Sequence, residues 1–401
     1  MGIATQEERI ARKEIAGSLP GVAERLYQQC TLCVMDTSDP EIVFDDDGKC
    51  NHCARAEMLL KTRLPAYRTG EYRLDKIVSR IRAAGKGRPY DCIVGVSGGA
   101  DSTYVAYLCK QQGLRPLAVH FDNGWNSELA VKNIEGVLHN LGIELFTHVV
   151  DWEEFRDLQL SFLKASVPDA EIPTDHAIWA LLFRTAARFG VRYIISGTNL
   201  STESILPRSW TYYVTDWKYI RGLQRLFGSR PLRTFPHCSM SQFAWYVLAR
   251  RIRTVSLLNA IEYDKATVAG VLERELGWRN YGGKHHESIY TRFFQSYILP
   301  VKFGIDKRKA HLSSLIVSGQ TTRAEALVEL QQPIADAAFV QEDLAYVAKK
   351  FDLDVEEFDE LMSQPVHTYR DYPNDSKRYE RVLAMARRAQ RLSLLPKQIG
   401  M

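Results

Sequence analysis

The chain has no apolar run approaching the roughly 18 residues that a membrane-crossing helix needs, so no transmembrane span is expected in its 401 residues. The N-terminus, Met-Gly-Ile-Ala-Thr-Gln-Glu-Glu-Arg-Ile, lacks the apolar core of a secretory signal. A cytoplasmic location is the expectation. Cysteine is scarce, seven in all. In a reducing compartment so few thiols read as ligands or core residues rather than disulfides. A dominant charge sign is missing too: 52 basic and 48 acidic residues leave a net charge of +4. A dedicated nucleic-acid binder is usually more basic, so nucleic acid is not the expected partner. No nucleophile-plus-base pattern stands out, and there is no glutaminase signature, neither a nucleophile-elbow Cys nor an N-terminal catalytic Cys. The rest is ordinary for a soluble globular protein, 45% hydrophobic and 25% charged. The length predicts two or three domains.

One stretch organises what is present: Asp91-Cys-Ile-Val-Gly-Val-Ser-Gly-Gly-Ala-Asp-Ser-Thr103. The apolar run Ile93–Val96 predicts a short buried strand. It stops at Ser97-Gly98-Gly99, and Asp101-Ser102 opens an amphipathic segment that predicts a helix. Strand, glycine turn and helix N-terminus together offer free backbone N–H groups to an anion. Gly98 and Gly99 let the backbone approach phosphate oxygens. Ser97 and Ser102 can donate hydroxyls, and Asp101 can hold Mg²⁺. No Gly-Lys-Ser/Thr follows, so this is not a Walker loop. The alternative is an ordinary glycine turn. The stretch resembles the SGGxDS pyrophosphate (PP) loop of the N-type ATP pyrophosphatases, which cleave ATP to AMP and pyrophosphate.

Before it, Cys30-Thr-Leu-Cys33 and Cys50-Asn-His-Cys53 form two CxxC knuckles, a spacing suited to a tetrahedral four-cysteine zinc site. Turn signals flank the intervening Ile42-Val43-Phe44, so a zinc-ribbon-like hairpin is expected, structural because four thiolates leave no open position. An iron–sulfur cluster is the competing occupant, and His52 reads as a bystander. Residues 1–29 predict a polar helical arm, and 54–90 one or two linking helices. After the loop, strands alternate with helices: Pro116–Phe121, Glu144–Val150 and Arg192–Ser196 are predicted strands, and Asp175 a cap for a helix from His176 to Phe189. The fold class is therefore α/β, a doubly wound, Rossmann-like parallel sheet. It carries the N-terminal zinc-ribbon-like knuckle and a mostly helical C-terminal region. Expected domains are 1–85, 86–260 and 261–401. Ligands bind beyond the carboxyl ends of such strands, where Ser97–Ser102, Asp122–Trp125 and Gly197–Glu203 fall. The second cluster can also be a plain turn.

Residues 205–260 interrupt the alternation. Trp210, Tyr212, Tyr213, Trp217 and Tyr219, among Arg208, Lys218 and Arg221, could stack a uracil or sugar ring, contact RNA, or form an aromatic core. Phe243–Ala249 predicts a buried helix, with membrane or partner docking as its alternative. Further on, Gly277–Glu287 carries Lys284, His285 and His286 beside a Gly282-Gly283 turn, suited to phosphate binding and proton transfer. Lys302–Lys309 concentrates cations. Such runs are usually solvated, yet the loop has no lysine of its own and a triphosphate needs neutralising.

Together these segments resemble the N-acetyl sugar amidotransferase family, the acetamidino-sugar synthases of surface-polysaccharide (LPS O-antigen) biosynthesis. The resemblance rests on Cys30-Thr-Leu-Cys33-Val-Met-Asp-Thr-Ser-Asp-Pro40, the Cys50/Cys53 knuckle, Ser97–Ser102, Tyr281–Glu287 and Phe303–Ser313. It implies an ATP-dependent reaction: the acetamido oxygen of a nucleotide-linked sugar attacks the α-phosphorus, and ammonia then displaces AMP. It implies that Ser97, Gly98, Gly99 and Ser102 hold pyrophosphate. Asp122 would face adenosine, and Gly197 and Thr198 the α-phosphate. Asp101 with Glu203 would hold Mg²⁺. Lys284, Lys307 and Arg308 would offset charge, and His285 or His286 would move protons. Cofactors would be ATP, Mg²⁺ and Zn²⁺. Ammonia would come from a separate glutaminase through a cyclase-like channelling subunit. The competing reading is a tRNA-thiolating PP-loop enzyme, which needs a sulfur-relay thiol. Cys92 and Cys109 read as core residues, leaving Cys238 as the candidate relay. A non-catalytic scaffold is the third reading.

Overall fold

Five short runs form one sheet: β1 (Cys92–Gly95), β2 (Pro116–Asp122), β3 (Glu144–Val149), β4 (Tyr193–Ser196) and β5 (Arg253–Ser256). They lie in the order β3-β2-β1-β4-β5, all parallel, in a computed structural model that describes residues 25–281 and 287–391. Side chains alternate between faces along each strand. Cys92, Val94, Ala118, Ile195 and Val255 face one layer, made of α2 (Leu74–Ala84), α3 (Ala100–Gln111), α4 (Glu128–Leu141) and α10 (Lys265–Leu276). Ile93, Leu117, Val119, Phe121 and Ile194 face the other, made of α5 (Trp152–Lys164), α6 (Ile172–Arg188) and C-terminal helices. The sheet is thus doubly wound, and both faces of β1 and β2 are buried. Strand order reverses between β1 and β4, which puts the ligand crevice at their carboxyl ends.

The remaining elements are α1 (Asn51–Arg68), α7 (Leu200–Glu203), α8 (Trp217–Phe227), α9 (Met240–Leu248), α11 (Ile289–Phe293), α12 (Lys307–Ser318), α13 (Arg323–Gln331), α14 (Ala337–Phe351), α15 (Val355–Ser363) and α16 (Ser376–Arg391). A π-helical stretch, Phe294–Phe303, joins α11 to α12.

Three sequence expectations change, and one alternative left open is decided. The interruption at 205–260 ends in a fifth strand, because Arg253–Ser256 runs beside β4 and closes that sheet edge. Three arginines hid it by making the segment read as the basic end of a helix. Asp175 does not cap a helix: α6 starts at Ile172 with Pro173 in its first turn, and Asp175 lies inside that turn. The helix expected to be buried, α9, has no buried residue, and Trp245 and Leu248 are 50% and 64% exposed. The aromatics of 205–260 form a core rather than an open platform. Tyr212 stacks on Tyr369 and Tyr213 on Tyr379, with ring centroids 4.3 and 4.9 Å apart, while Trp210 and Tyr219 are fully enclosed.

Candidate active site

Val96 continues the β1 ladder by donating to the Val119 carbonyl, and then the chain turns sharply. Gly98 has φ +84°, and a Cβ there would stand 2.8 Å from the Ala130 carbonyl oxygen. Only glycine meets both demands. Two serines brace the turn. Ser97 N–H donates to Ser102 Oγ at 3.2 Å, Gly99 N–H to Ser97 Oγ at 3.3 Å, and Ser102 Oγ to the Gly99 carbonyl at 3.1 Å. Gly99 caps α3 without a side chain, so the first-turn amides of α3 have no intrahelical partner and the helix presents its positive end here.

The other strand ends converge on this loop. A Cβ at Gly197 would lie 3.3 Å from Ser102 N, which measures how closely the β4 turn approaches. Thr198 Oγ1 bonds Ser196 and Ser256, fixing that turn to the end of β5. Glu203 ends α7 and is exposed. Asp122 closes its own turn by accepting from Gly124 N–H and Asn126 Nδ2. Sequence reading missed His120. It is buried beside the loop, with Nδ1 on the Val96 carbonyl at 2.9 Å and Nε2 facing Asn126 Nδ2 at 3.0 Å. That pairing assigns the proton to Nδ1. Tyr263 and Trp278 were missed as well: the Tyr263 hydroxyl donates to Asp101, and Trp278 Nε1 donates to the Gly98 carbonyl at 2.9 Å. The block 277–287 reaches the loop at both described ends. Tyr281 OH and Glu287 Oε1 would lie 3.2 and 3.4 Å from a Cβ at Gly99. Lys284, His285 and His286 lie outside the described residues.

The cationic block at 302–309 divides. Lys302 is buried and donates to the carbonyls of Leu361, Met362 and Gln364, and burial lowers its ammonium to about 8. Arg308, expected at the phosphates, is committed elsewhere: it forks onto Asp306 and caps the carbonyls of Glu329 and Gln332. Lys309 pairs with Asp36. Lys307, at the start of α12, approaches Glu171 at 3.6 Å. With it, Asp169, Glu171 and Asp175 form an acidic rim at the start of α6. The rim lies beyond the carboxyl edge of the sheet: Leu182, two turns further along α6, packs at Gly95, and Thr174 accepts from Asn123 just past β2. Asp175 is open to solvent, yet protein surrounds it on several sides. Desolvation, followed by the charges of Glu171 and Asp169, raises its carboxyl to about 7.

The four knuckle cysteines are buried, and all their sulfurs lie within 4.8 Å of one another. Cys30–Cys53 and Cys33–Cys50 are 3.9 and 3.7 Å apart. Tetrahedral thiolates at a Zn–S distance of about 2.3 Å require sulfurs about 3.8 Å apart, so the set fits zinc. Backbone N–H groups of Cys33, Met35 and Cys50 point at these sulfurs, as thiolate ligands need. The segment 34–40 anchors the knuckle. Asp39 accepts from His52 at 2.6 Å and Ser209 at 2.6 Å. Burial alone would raise its carboxyl, and these bonds outweigh burial and lower it. Val34 N–H donates to Ser313, and Arg323 donates to the carbonyls of Cys30 and Cys33. The knuckle is therefore riveted to α12, the helix that begins at Lys307.

Two protein-family models match this architecture. One described as "Queuosine biosynthesis protein QueC" covers residues 91–213, the loop and four of the five strands. One described as "LPS biosynthesis protein WbpG-like, C-terminal domain" covers residues 287–386. The tRNA(Ile)-lysidine synthase of Chlamydia pneumoniae is 34% identical over 70 residues, 17% of this chain and 22% of that protein. The match thus spans about a fifth of that relative's length. Among solved structures, the NH3-dependent NAD synthetase of Campylobacter jejuni is 19% identical, covering 50% of this chain and 82% of its own, with a TM-score of 0.27. An NMN synthetase from Francisella tularensis is 15% identical, covering 52% and 87%, also with a TM-score of 0.27.

Proposed function

Since the chain belongs to the N-acetyl sugar amidotransferase (WbpG-like) family of PP-loop ATP pyrophosphatases, we propose that it converts an acetamido group of a nucleotide-linked sugar into an acetamidino group. The setting is the biosynthesis of surface lipopolysaccharide. One observation carries the reading: Glu287, where the WbpG-like match begins, sits against Gly99 of the pyrophosphate loop. That approach supports a C-terminal region that walls the ATP site, where a second substrate would meet the α-phosphorus.

An amide carbon is a poor electrophile with a poor leaving group. The amide oxygen attacks the α-phosphorus, the bond to the β-phosphate oxygen breaks, and pyrophosphate departs into the loop. There the first-turn amides of α3 and the braced Ser97 and Ser102 receive its charge. Asp101 would hold Mg²⁺, which would supply charge neutralisation for the phosphates. Ammonia then adds to the imidate carbon. The C–O bond breaks and AMP leaves with the former amide oxygen. Every covalent change is between substrates, so no protein nucleophile is required. The ammonia comes from a separate glutaminase through a channelling subunit. The purified chain should therefore work with ammonium salts, and activity on glutamine alone would rule that partner model out.

A tRNA-thiolating reading fares worse. Its remaining relay candidate, Cys238, is buried, and desolvation pushes its thiol up to about 12, which leaves it unreactive. The direct test incubates UDP-diacetamido sugars with ATP, Mg²⁺ and ammonium chloride and follows the products by mass spectrometry. A product one mass unit lighter, NH replacing O, with stoichiometric AMP is expected. Sulfur transfer to tRNA, or no AMP with any acetamido sugar, would overturn the reading.

A further inference from the structure

One face of the molecule carries positive charge without counter-charge. Residues 176–202 contain three arginines and no Asp or Glu, and residues 217–261 contain eight Lys or Arg and no Asp or Glu. Six arginines of these segments are exposed: Arg184, Arg188, Arg192, Arg250, Arg251 and Arg253. Among the described residues none of the six forms an ion pair, whereas Arg115, Arg292 and Arg308 elsewhere fork onto Asp91, Asp343 and Asp306. The six gather around α9. Its inner side packs on α6, with the Phe243 and Tyr246 rings 5.3 and 5.8 Å from that of Phe183. Its outer side, Ala244, Trp245, Leu248 and Ala249, is an exposed apolar stripe at helical spacing, where a surface helix ordinarily presents polar residues. Arg250 joins stripe and charge. Its guanidinium lies 5.5 Å from the Trp245 ring centroid and donates to the Ala187 carbonyl, next to Arg188, at 2.7 Å. Arg253 opens β5, and its N–H donates to the carbonyl of Arg192, just before β4. The face therefore sits at the amino ends of β4 and β5, the opposite edge of the sheet from the pyrophosphate loop.

We propose that this face docks the protein on an anionic lipid bilayer, with α9 lying in the interface. Two needs select that occupant. A polyanion such as RNA would pair with the arginines but leave Trp245 and Leu248, 50% and 64% exposed, in water. A purely apolar partner would cover the stripe but desolvate six unpaired charges, which is costly. Acidic phospholipids meet both needs, with phosphates at the depth of the arginines and acyl chains beneath them for the stripe. Tryptophan favours that boundary, and the guanidinium fork matches phosphate. At nine residues α9 is too short to cross the hydrocarbon layer, so it lies along the surface. The ATP site, at the other edge of the sheet, stays open to the aqueous side. Docking of this kind is independent of the amidotransferase reading. Under that reading it would place the modified sugar beside the bilayer on which a lipid-linked glycan is built.

The test sediments the full chain with phosphatidylcholine vesicles, with and without about 30% phosphatidylglycerol. Binding should be at least about tenfold tighter to the anionic vesicles and should weaken as salt rises. Arg250→Gln with Arg251→Gln should weaken it about twentyfold. Trp245→Ser with Leu248→Ser, at unchanged charge, should weaken it about tenfold. Both pairs should leave two activities within about twofold of wild type, as exposed substitutions far from the site do: sugar-dependent exchange of labelled pyrophosphate into ATP, and amidine formation from ammonium chloride. Equal binding to both vesicle types, or binding to neither, would overturn the inference. So would binding that the Trp245/Leu248 pair leaves intact while poly(U) competes, which assigns the face to nucleic acid. A dimer in light scattering that the same pair abolishes would assign it to a second copy and overturn it too. If wild type shows neither exchange nor amidine formation, the amidotransferase reading fails, and vesicle binding still decides this one.

Discussion

The pyrophosphate loop and the acidic rim are built differently. The loop is local. Its braces join residues two, three and five apart, and its anion-binding power comes from backbone amides that every chain carries. The rim is assembled at a distance: Asp169 and Glu171 precede α6, Asp175 lies in its first turn, and Lys307 arrives on α12. Its chemistry comes from side-chain charges that alter one another. A local site tolerates changes elsewhere in the fold, whereas a composite one depends on whatever positions each contributor.

The four-cysteine knuckle makes the largest test of that contrast. It grips α12 through Ser313 and Lys309, and α13 through Arg323, and so holds the helix that delivers Lys307. Cys50→Ser should lose stoichiometric zinc and several kcal/mol of stability. In protein that remains folded, the titration of Asp175 should shift while pyrophosphate exchange persists. Loss of exchange as well would mean that loop and rim are not separable. Next in size, Gly98→Ala places a Cβ against the Ala130 carbonyl at a left-handed φ. Backbone strain of about 1–3 kcal/mol and displaced amides should cut exchange at least about a hundredfold. The thermal stability of zinc-loaded protein should change far less than in the cysteine variant.

This division also decides what the sequence made legible. The loop, the four cysteines and four of the five strands are short-range patterns, readable from spacing alone. Asp175 was visible only as a candidate cap, because its partners are four and six residues back and on another helix. The lysine-rich block read as one cationic cluster. Burial separates it into a carbonyl cap at Lys302, a carboxylate fork at Arg308, a rivet at Lys309 and an ion-pair partner of Glu171, Lys307. The aromatic insertion could have been platform or core, and only the return of Tyr369 and Tyr379 from the far end of the chain decides it.

A smaller effect sharpens the rim. Desolvation raises the carboxyls of both Asp175 and Asp169, and the charge of Lys307 offsets part of that rise. Lys307→Met should raise Asp175 further, by about one unit in an NMR titration of its carboxyl. The pH profile of pyrophosphate exchange should stay in place. A shift in that profile would show that Lys307 serves the phosphates directly.

The smallest effect is on stability, and its sign is distinctive. The Asp175 carboxyl rises from about 3.9 in an unfolded chain to about 7 in the fold. A raised acid favours folding fully below its unfolded value, and that contribution drains away as pH climbs through the folded value. The wild-type chain should therefore lose stability between about pH 4 and pH 7 from this one residue, screened because Asp175 is open to solvent. Asp175→Asn carries no such dependence. Its melting temperature relative to wild type should be higher at pH 8 than at pH 4.5, by about 1–2 °C. Most acids, held low by partners, give the opposite trend when replaced. A constant difference across the range would mean that Glu171 and Asp169 do not press on Asp175, and the rim would reduce to three independent surface acids.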